Sequence, residues 1–255
     1  MPKKPLNKHN SNLAWPKCWK RSSKPHNFCP GCGHPIVLKM LGEIIDELKL
    51  QNNTLFGVDI GCSLLAWDFF NIDTVQTHHG RTVPVIVGVK KARPDTLAIA
   101  YVGDGGAYAI GAQHLVNSRM RNDNITTIVI NNANYGMTGG QEAPTSIPGQ
   151  ITTTSVKGAD EFYLKGPEMV SKISDVPAYV ARASVDNPIQ LKMFLKKALE
   201  WQLAGKGFSF VEVLSFCPTN WKTDARGTLA FLNKLKTIYP VGEICPTPAK
   251  PVGDK

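Results

Sequence analysis

No stretch of this 255-residue chain approaches the about 18 uninterrupted apolar residues of a membrane span, so no spanning helix and no membrane partner are expected. The apolar run of a secretory signal is missing as well, which points to a cytoplasmic location. Acidic residues are absent from Met1 to Asn27, which holds seven Lys or Arg. The formal net charge of +9 therefore sits mostly in that segment, and the remainder carries 22 basic against 20 acidic residues. A body so nearly neutral lacks the basic stripe with interleaved aromatics that a nucleic-acid groove needs, so no nucleic-acid partner is expected. The basic segment reads instead as a solvated arm or as one lying on an acidic partner. Internal repeats and low-complexity blocks are also absent. Cysteine is sparse: six residues, in a compartment that keeps thiols reduced, suit metal or redox work better than a disulfide framework.

What is present is an alternation of helical and strand patterns. Ile36, Val37, Met40, Leu41, Ile44, Ile45 and Leu48 recur at helical spacing, and residues 54–60 then read as a buried strand. Residues 96–102 and 125–130 are two further apolar, β-branched runs with a helix expected between about Ala107 and Arg119, which makes a βαβ unit. Residues 177–185 and 208–214 are read as strands around a helix near 190–203. The expected class is α/β: a mainly parallel sheet with helices on both faces. Residues 131–160 are long, rich in Gly, Thr, Pro and Gln and without periodicity, the mark of a functional loop.

Two elements fall at strand ends, where such sheets bind ligands. Gly103-Asp104-Gly105 ends one strand, and Asn131-Asn132 ends the next, with Asp104 and Asn132 28 positions apart. Asp104 offers a carboxylate and Asn132 an amide oxygen to Mg2+, a hard cation that takes few protein ligands and completes its shell with phosphate or water. The glycines allow the backbone to approach a diphosphate at the start of the following helix. Each motif alone is an ordinary turn or strand terminator. Together they resemble the thiamine diphosphate signature, GDG followed about 25–30 residues on by NN. That signature implies a third Mg2+ ligand from the backbone carbonyl of Asn134.

Cys29-Pro30-Gly31-Cys32 is a CxxC pair, and Cys62 and Cys217 each follow an expected strand. Four thiolates suit a [4Fe-4S] cluster. They suit structural Zn2+ equally well, and by spacing alone zinc is the commoner use. Gly33 separates Cys32 from His34, so the CxxCH of a c-type haem is not present. The thiamine reading shifts the balance, because oxidising a 2-oxoacid leaves electrons that need an outlet and no flavin, nicotinamide or lipoyl motif is evident. Cys18 and Cys245 read as plain thiols.

With both motifs in view, residues 28–221 resemble the beta subunits of 2-oxoacid:ferredoxin oxidoreductases, most of all the branch acting on 2-ketoisovalerate and related oxoacids. The matching phrases are Cys29-Pro30-Gly31-Cys32-Gly33-His34, Gly61-Cys62-Ser63, His79-Gly80-Arg81, Gly103-Asp104-Gly105, residues 131–141, and Val211-Glu212-Val213-Leu214-Ser215 with Cys217-Pro218-Thr219-Asn220-Trp221. The resemblance implies the diphosphate-type thiamine diphosphate-binding fold and one [4Fe-4S] cluster on Cys29, Cys32, Cys62 and Cys217. It implies that Ile60, Gly61, Cys62, Ser63, His79, Gly105, Gly106, Gly136 and Met137 surround the cofactor, and that Leu65 touches substrate. Arg81 is left between phosphate or substrate carboxylate binding and a surface salt bridge. Gly106 departs from several relatives, which carry an acidic residue there.

The implied activity is coenzyme A-dependent oxidative decarboxylation of a 2-oxoacid (branched-chain, pyruvate or 2-oxoglutarate), with electrons passing through the cluster to ferredoxin. The implied partners are an alpha subunit with the pyrimidine-binding domain and its activating glutamate, and a gamma or ferredoxin-like delta subunit. No catalytic side chain is assigned within this chain. The expected organisation is a basic arm over 1–27, a cofactor- and cluster-binding domain over 28–245, and a tail over 246–255. Two other readings are half of a non-oxidative thiamine enzyme, which leaves the cysteines idle, and a zinc-stapled binding protein in which GDG and NN are only turns.

Overall fold

Residues 54–58, 97–103, 126–131, 179–184 and 209–214 are apolar, β-branched runs, buried along nearly their whole length, as strands covered on both faces must be. In the computed structural model, which describes residues 15–20 and 26–244, they are β1 Thr54–Val58, β3 Leu97–Gly103, β4 Thr126–Asn131, β5 Tyr179–Ser184 and β6 Ser209–Leu214. With β2 Asp73–Gln76 and β7 Gly242–Glu243 they form one sheet in the order β2-β1-β3-β4-β6-β5-β7. Every pairing is parallel except that of β5 with β7.

Alternate side chains feed two cores. On one face, Phe56, Val58, Ile99, Tyr101, Ile128, Ile130, Val211 and Val213 meet α1 His34–Glu47 and α5 Pro188–Leu203. On the other, Leu55, Ala98, Ala100, Val102, Val129, Val180 and Phe210 meet α2 Thr82–Ala92, α3 Ala112–Met120 and α4 Gly166–Lys172. The expected sheet covered on both faces is therefore present. The run Thr82–Ala92 has the valine content of a strand, yet Val83, Ile86 and Val87 pack as a helical face, so tertiary burial overrides local propensity. Among the described residues no helix is long and apolar enough to cross a membrane.

Two expectations need correction. The helix after β3 is broken: Gly106–Ile110 forms a π-helical turn before α3 begins. A Cβ on Gly111 would lie 2.3 Å from the Gly106 carbonyl and 2.9 Å from that of Gly80, so the chain is crowded where it passes the Gly80 turn. The segment 1–27 is not solvated throughout. Trp15, Pro16, Cys18 and Trp19 are apolar residues set among basic ones, and this stretch docks: Cys18 is fully buried, Trp19 packs edge-on against Phe69 at 3.9 Å, and Asn71 donates to the Cys18 carbonyl. Cys245 and the tail after it lie outside the described residues. The fold closes with α6 Pro218–Trp221 and α7 Ala225–Ile238, the latter seating Leu232 and Leu235 against Leu214.

A buried ion network pins β5 to β6 on the second face. Arg182 is fully buried and donates to Glu212 Oε1 at 2.6 Å, and it forks onto both oxygens of Glu168 at 2.8 and 2.6 Å. Tyr108 donates to the other Glu212 oxygen at 2.5 Å. Glu212→Ala would strand Arg182 beside a lone remaining carboxylate, and a broken buried pair typically costs about 3–5 kcal/mol. Urea unfolding of the purified chain should show a loss of that size; a loss below about 1 kcal/mol would mean that the pair is dispensable.

Candidate cofactor site

β1 is followed in the chain by β2 on its left and β3 by β4 on its right, so the connections leaving β1 and β3 diverge and leave a crevice at their carboxyl ends. A cleft with about 660 Å3 of empty space opens there. Ile60, Gly61, Cys62 and Ser63 line it from the end of β1, His79 from beyond β2, and Gly103 to Gly106 from β3. Asn132, Asn134, Gly136 and Met137 line it from beyond β4. Leu65 is not among the lining residues; it sits in the 3-10 helix Cys62–Ala66 and packs toward the first core.

Asp104 is almost completely buried, and burial pushes its carboxyl up to about 7. Its Oδ1 accepts from the Gly105 N–H at 2.9 Å and its Oδ2 accepts from Thr145. Across the cleft, Ala133 adopts φ +55, and that left-handed turn bends Asn132 and Asn134 toward the same space. Asn134 donates its side-chain amide to the Asn132 carbonyl at 2.9 Å, and Trp221 donates its indole N–H to the same carbonyl at 3.0 Å. The hydroxyl of Ser63, in the cleft wall, is buried without a partner.

Gly105 and Gly106 of the GDGG run are required by packing. A Cβ at Gly105 would fall 2.1 Å from the Tyr135 ring, and one at Gly106 would fall 1.9 Å from Asp59 Oδ2. Asp59, fully buried and raised above the usual carboxyl range by that burial, thus takes the space that a side chain at 106 would need. Its other oxygen accepts from the Gly80 N–H at 2.8 Å and so fixes the turn that carries His79. The guanidinium of Arg81 donates to the carbonyls of His79 and Ile110, and among the described residues no carboxylate pairs with it.

The four cysteines of the expected quartet gather beside this cleft. Cys62 lies within electrostatic reach of Cys217, Cys32 and Cys29, and Cys32 of Cys217 and Cys29. Burial, reinforced by these neighbours, pushes the Cys32 and Cys62 thiols up to about 12. Cys18 stands apart in the first core, where its thiol donates to the Gly42 carbonyl. Among the described residues, no three His, Cys, Asp or Glu side chains are drawn together tightly enough to hold a single metal ion.

Residues 59–213 match the family model described as thiamine pyrophosphate enzyme, C-terminal TPP binding domain. The chain is 39% identical to the 2-oxoglutarate synthase subunit KorB of Methanocaldococcus jannaschii, over 80% of this chain and 73% of that one. The chain belongs to the thiamine pyrophosphate-binding beta-subunit family of 2-oxoacid:ferredoxin oxidoreductases. It is also 37% identical to the ketoisovalerate oxidoreductase subunit VorA of Methanothermobacter thermautotrophicus, over 84% of this chain but only 46% of that longer subunit. The 2-oxoglutarate:ferredoxin oxidoreductase of Magnetococcus marinus, solved with 2-oxoglutarate, coenzyme A and succinyl-CoA bound, superposes with a TM-score of 0.75 at 29% identity, covering 89% of this chain and 75% of that one.

A thiamine pyrophosphate-binding domain has to accept a diphosphate, and the residues fit that group and a divalent cation beside it. An oxygen-donor carboxylate, two amide side chains, an orphaned hydroxyl and glycine-lined walls face one space. Three residues in or behind the walls of that space were not singled out as cofactor contacts in the sequence. Thr145 reaches Asp104 from the aperiodic loop, Asp59 acts from just beyond β1, and His34 lines the cleft while its Nδ1 lies 2.7 Å from the Tyr101 hydroxyl. Burial holds His34 down at about 3, so the ring is neutral at physiological pH.

The raised carboxyl of Asp104 sets a pH dependence. A folded-state value above the unfolded one contributes stability that is complete below about pH 4 and is lost as pH rises through about 7. Asp104→Asn should therefore stabilise the metal-free chain at pH 8, by at most about 4 kcal/mol, while removing Mg2+-dependent thiamine diphosphate binding. Thermal unfolding of both proteins from pH 4 to 8 checks the first part, and equilibrium dialysis the second. Equal pH slopes for the two proteins would show that Asp104 is not the strained group.

Proposed function

We propose that the chain is the thiamine diphosphate- and cluster-carrying subunit of an enzyme that oxidatively decarboxylates a 2-oxoacid in the reducing cytoplasm. It would use coenzyme A as acyl acceptor and ferredoxin as electron acceptor. The observation that carries this reading is the convergence, at one crevice, of the Asp104, Asn132 and Asn134 wall with the Cys29, Cys32, Cys62 and Cys217 group. A non-oxidative thiamine enzyme has no use for the second half of that arrangement.

In this reading Asp104 and Asn132 give side-chain oxygens, and Asn134 its backbone carbonyl, to Mg2+. Ile60, Gly61, Cys62, Ser63, His79, Gly105, Gly106, Gly136 and Met137 would surround the thiamine diphosphate. When bound, thiamine diphosphate supplies the electron sink for decarboxylation; the protein supplies orientation and a dry, shaped wall. Leu65 would approach the substrate only in the assembled enzyme. The four cysteines would hold a [4Fe-4S] cluster as thiolates, Cys32, Cys62 and Cys217 giving up protons that burial keeps on them in the free chain. Residues 28–245 would form the cofactor domain, clipped by Trp15 to Lys20, with 246–255 as a tail.

An alpha subunit would bring the pyrimidine-binding domain and its activating glutamate, and a gamma or ferredoxin-like delta subunit would carry electrons onward. Ile110 and Met137, apolar and about half exposed at the cleft, would meet the alpha subunit.

Two outcomes follow. After anaerobic purification, Cys29→Ser, Cys32→Ser, Cys62→Ser and Cys217→Ser should each lower iron and acid-labile sulfide, whereas Cys18→Ser should not. One equivalent of zinc and no iron in the parent protein would return the quartet to a structural role. The chain alone, loaded with thiamine diphosphate, Mg2+ and cluster, should reduce viologen with no 2-oxoacid of a test panel, and adding the alpha subunit should start turnover. Coenzyme A-dependent oxidation by the chain alone would overturn the division of labour.

A further inference from the structure

Cys217 ends the segment after β6 and stands at the start of α6, with Pro218 at the first helical position. One turn on, Asn220 folds its side-chain amide back toward the sulfur. Its Nδ2 donates to the Gly136 carbonyl at 2.8 Å and lies 3.5 Å from Cys217 Sγ, so its two protons serve two acceptors. The side chain of Asn134 also reaches this sulfur, its Oδ1 accepting from the thiol at a longer 3.8 Å, so the Asn220 amide is the shorter of the two side-chain contacts. The neighbouring Trp221 anchors α6 to the Asn132 carbonyl, and the loop passes so close at Gly140 that a Cβ there would lie 3.0 Å from the Asn220 Cβ.

We infer that Asn220 is a positioning residue that sets the reduction potential of the metal cluster through Cys217 and ties that cysteine to the Gly136 wall of the cofactor cleft. The inference rests on the cluster reading of the quartet. A hydrogen bond to a ligating sulfur withdraws electron density from it and favours the more negatively charged, reduced cluster, so it raises the potential. The same amide spans the two halves of the site: the carbonyl it holds belongs to the loop that carries Asn132 and Asn134. Neither the GDG and NN motif nor the cysteine spacing predicts such a link, because it depends on how α6 is folded over the loop.

The test uses the co-expressed enzyme complex, purified anaerobically, with Asn220→Leu and Asn220→Asp. Iron and sulfide content, an EPR-monitored redox titration and thiamine diphosphate affinity are measured on each. Iron should be retained. At a fixed potential the reduced-to-oxidised ratio should fall about threefold to tenfold in Asn220→Leu, and further in Asn220→Asp, which sets a carboxylate where the donor was. Thiamine diphosphate affinity should fall in both. If the wild-type complex holds no iron-sulfur cluster, the cluster reading fails and the inference falls with it. If the cluster is present and both variants titrate as wild type does, the inference is wrong and the cluster reading stands. Loss of iron from both variants at unchanged melting temperature would also overturn it, by making Asn220 a holder of the cluster rather than a tuner. Should Asn220→Leu misfold, the nearly isosteric Asn220→Asp decides alone.

Discussion

The divergence of the chain after β1 and β3 is the constraint on which the remaining features depend. Parallel strands must be joined by crossovers, and a crossover covers the carboxyl end of its strand unless its neighbour's leaves in the opposite direction. Here β1 connects to β2 on one side and β3 to β4 on the other. The crevice between them exposes backbone ends and short polar side chains in a setting otherwise sealed by two apolar cores. Every proposed ligand of Mg2+ and diphosphate, and Cys62 of the quartet, lies in or beside that gap.

Within the gap, space and charge are allotted together. Asp59 and residue 106 compete for one volume, so a carboxylate delivered from the end of β1 excludes any side chain at 106. Asp104 is buried where water cannot stabilise its charge, and that burial raises its carboxyl to about 7. Away from the cleft, Arg182 is held by Glu212 and Glu168 in a closed ionic group that locks β5 onto β6. Burial therefore has different consequences at Asp104 and at Arg182: it raises the carboxyl of the first, which only neutral donors contact, whereas the second is paired with two carboxylates of the chain.

The quartet links the two ends of the fold. Cys29 and Cys32 precede α1, Cys62 follows β1 and Cys217 follows β6, so these thiols meet only because α1 and β6 both deliver chain to the same edge of the crevice. Loop 131–137 lies between the metal wall and α6, and Trp221 and Asn220 hold it from the cysteine side.

How much was legible beforehand depended on the range of the interaction. The strands at 54–58, 97–103, 126–131, 179–184 and 209–214 are continuous apolar, β-branched runs, so the sequence alone determined the α/β class, the βαβ unit and the GDG and NN motif at strand ends. Ordered phrases along 28–221 likewise determined the family. The valine-rich α2 and the π turn at Gly106–Ile110 escaped, because packing on the sheet and crowding against Gly80 outweigh local preference. The docking of Trp15 to Lys20 escaped because charge dominates the composition of 1–27 while a few aromatics decide its packing. Thr145 on Asp104, Asp59 against Gly106 and Asn220 on Cys217 were decided by tertiary structure alone. The first two join side chains more than 40 positions apart, and the third depends on how α6 folds over a loop 84 positions earlier, so no local period or spacing encodes them.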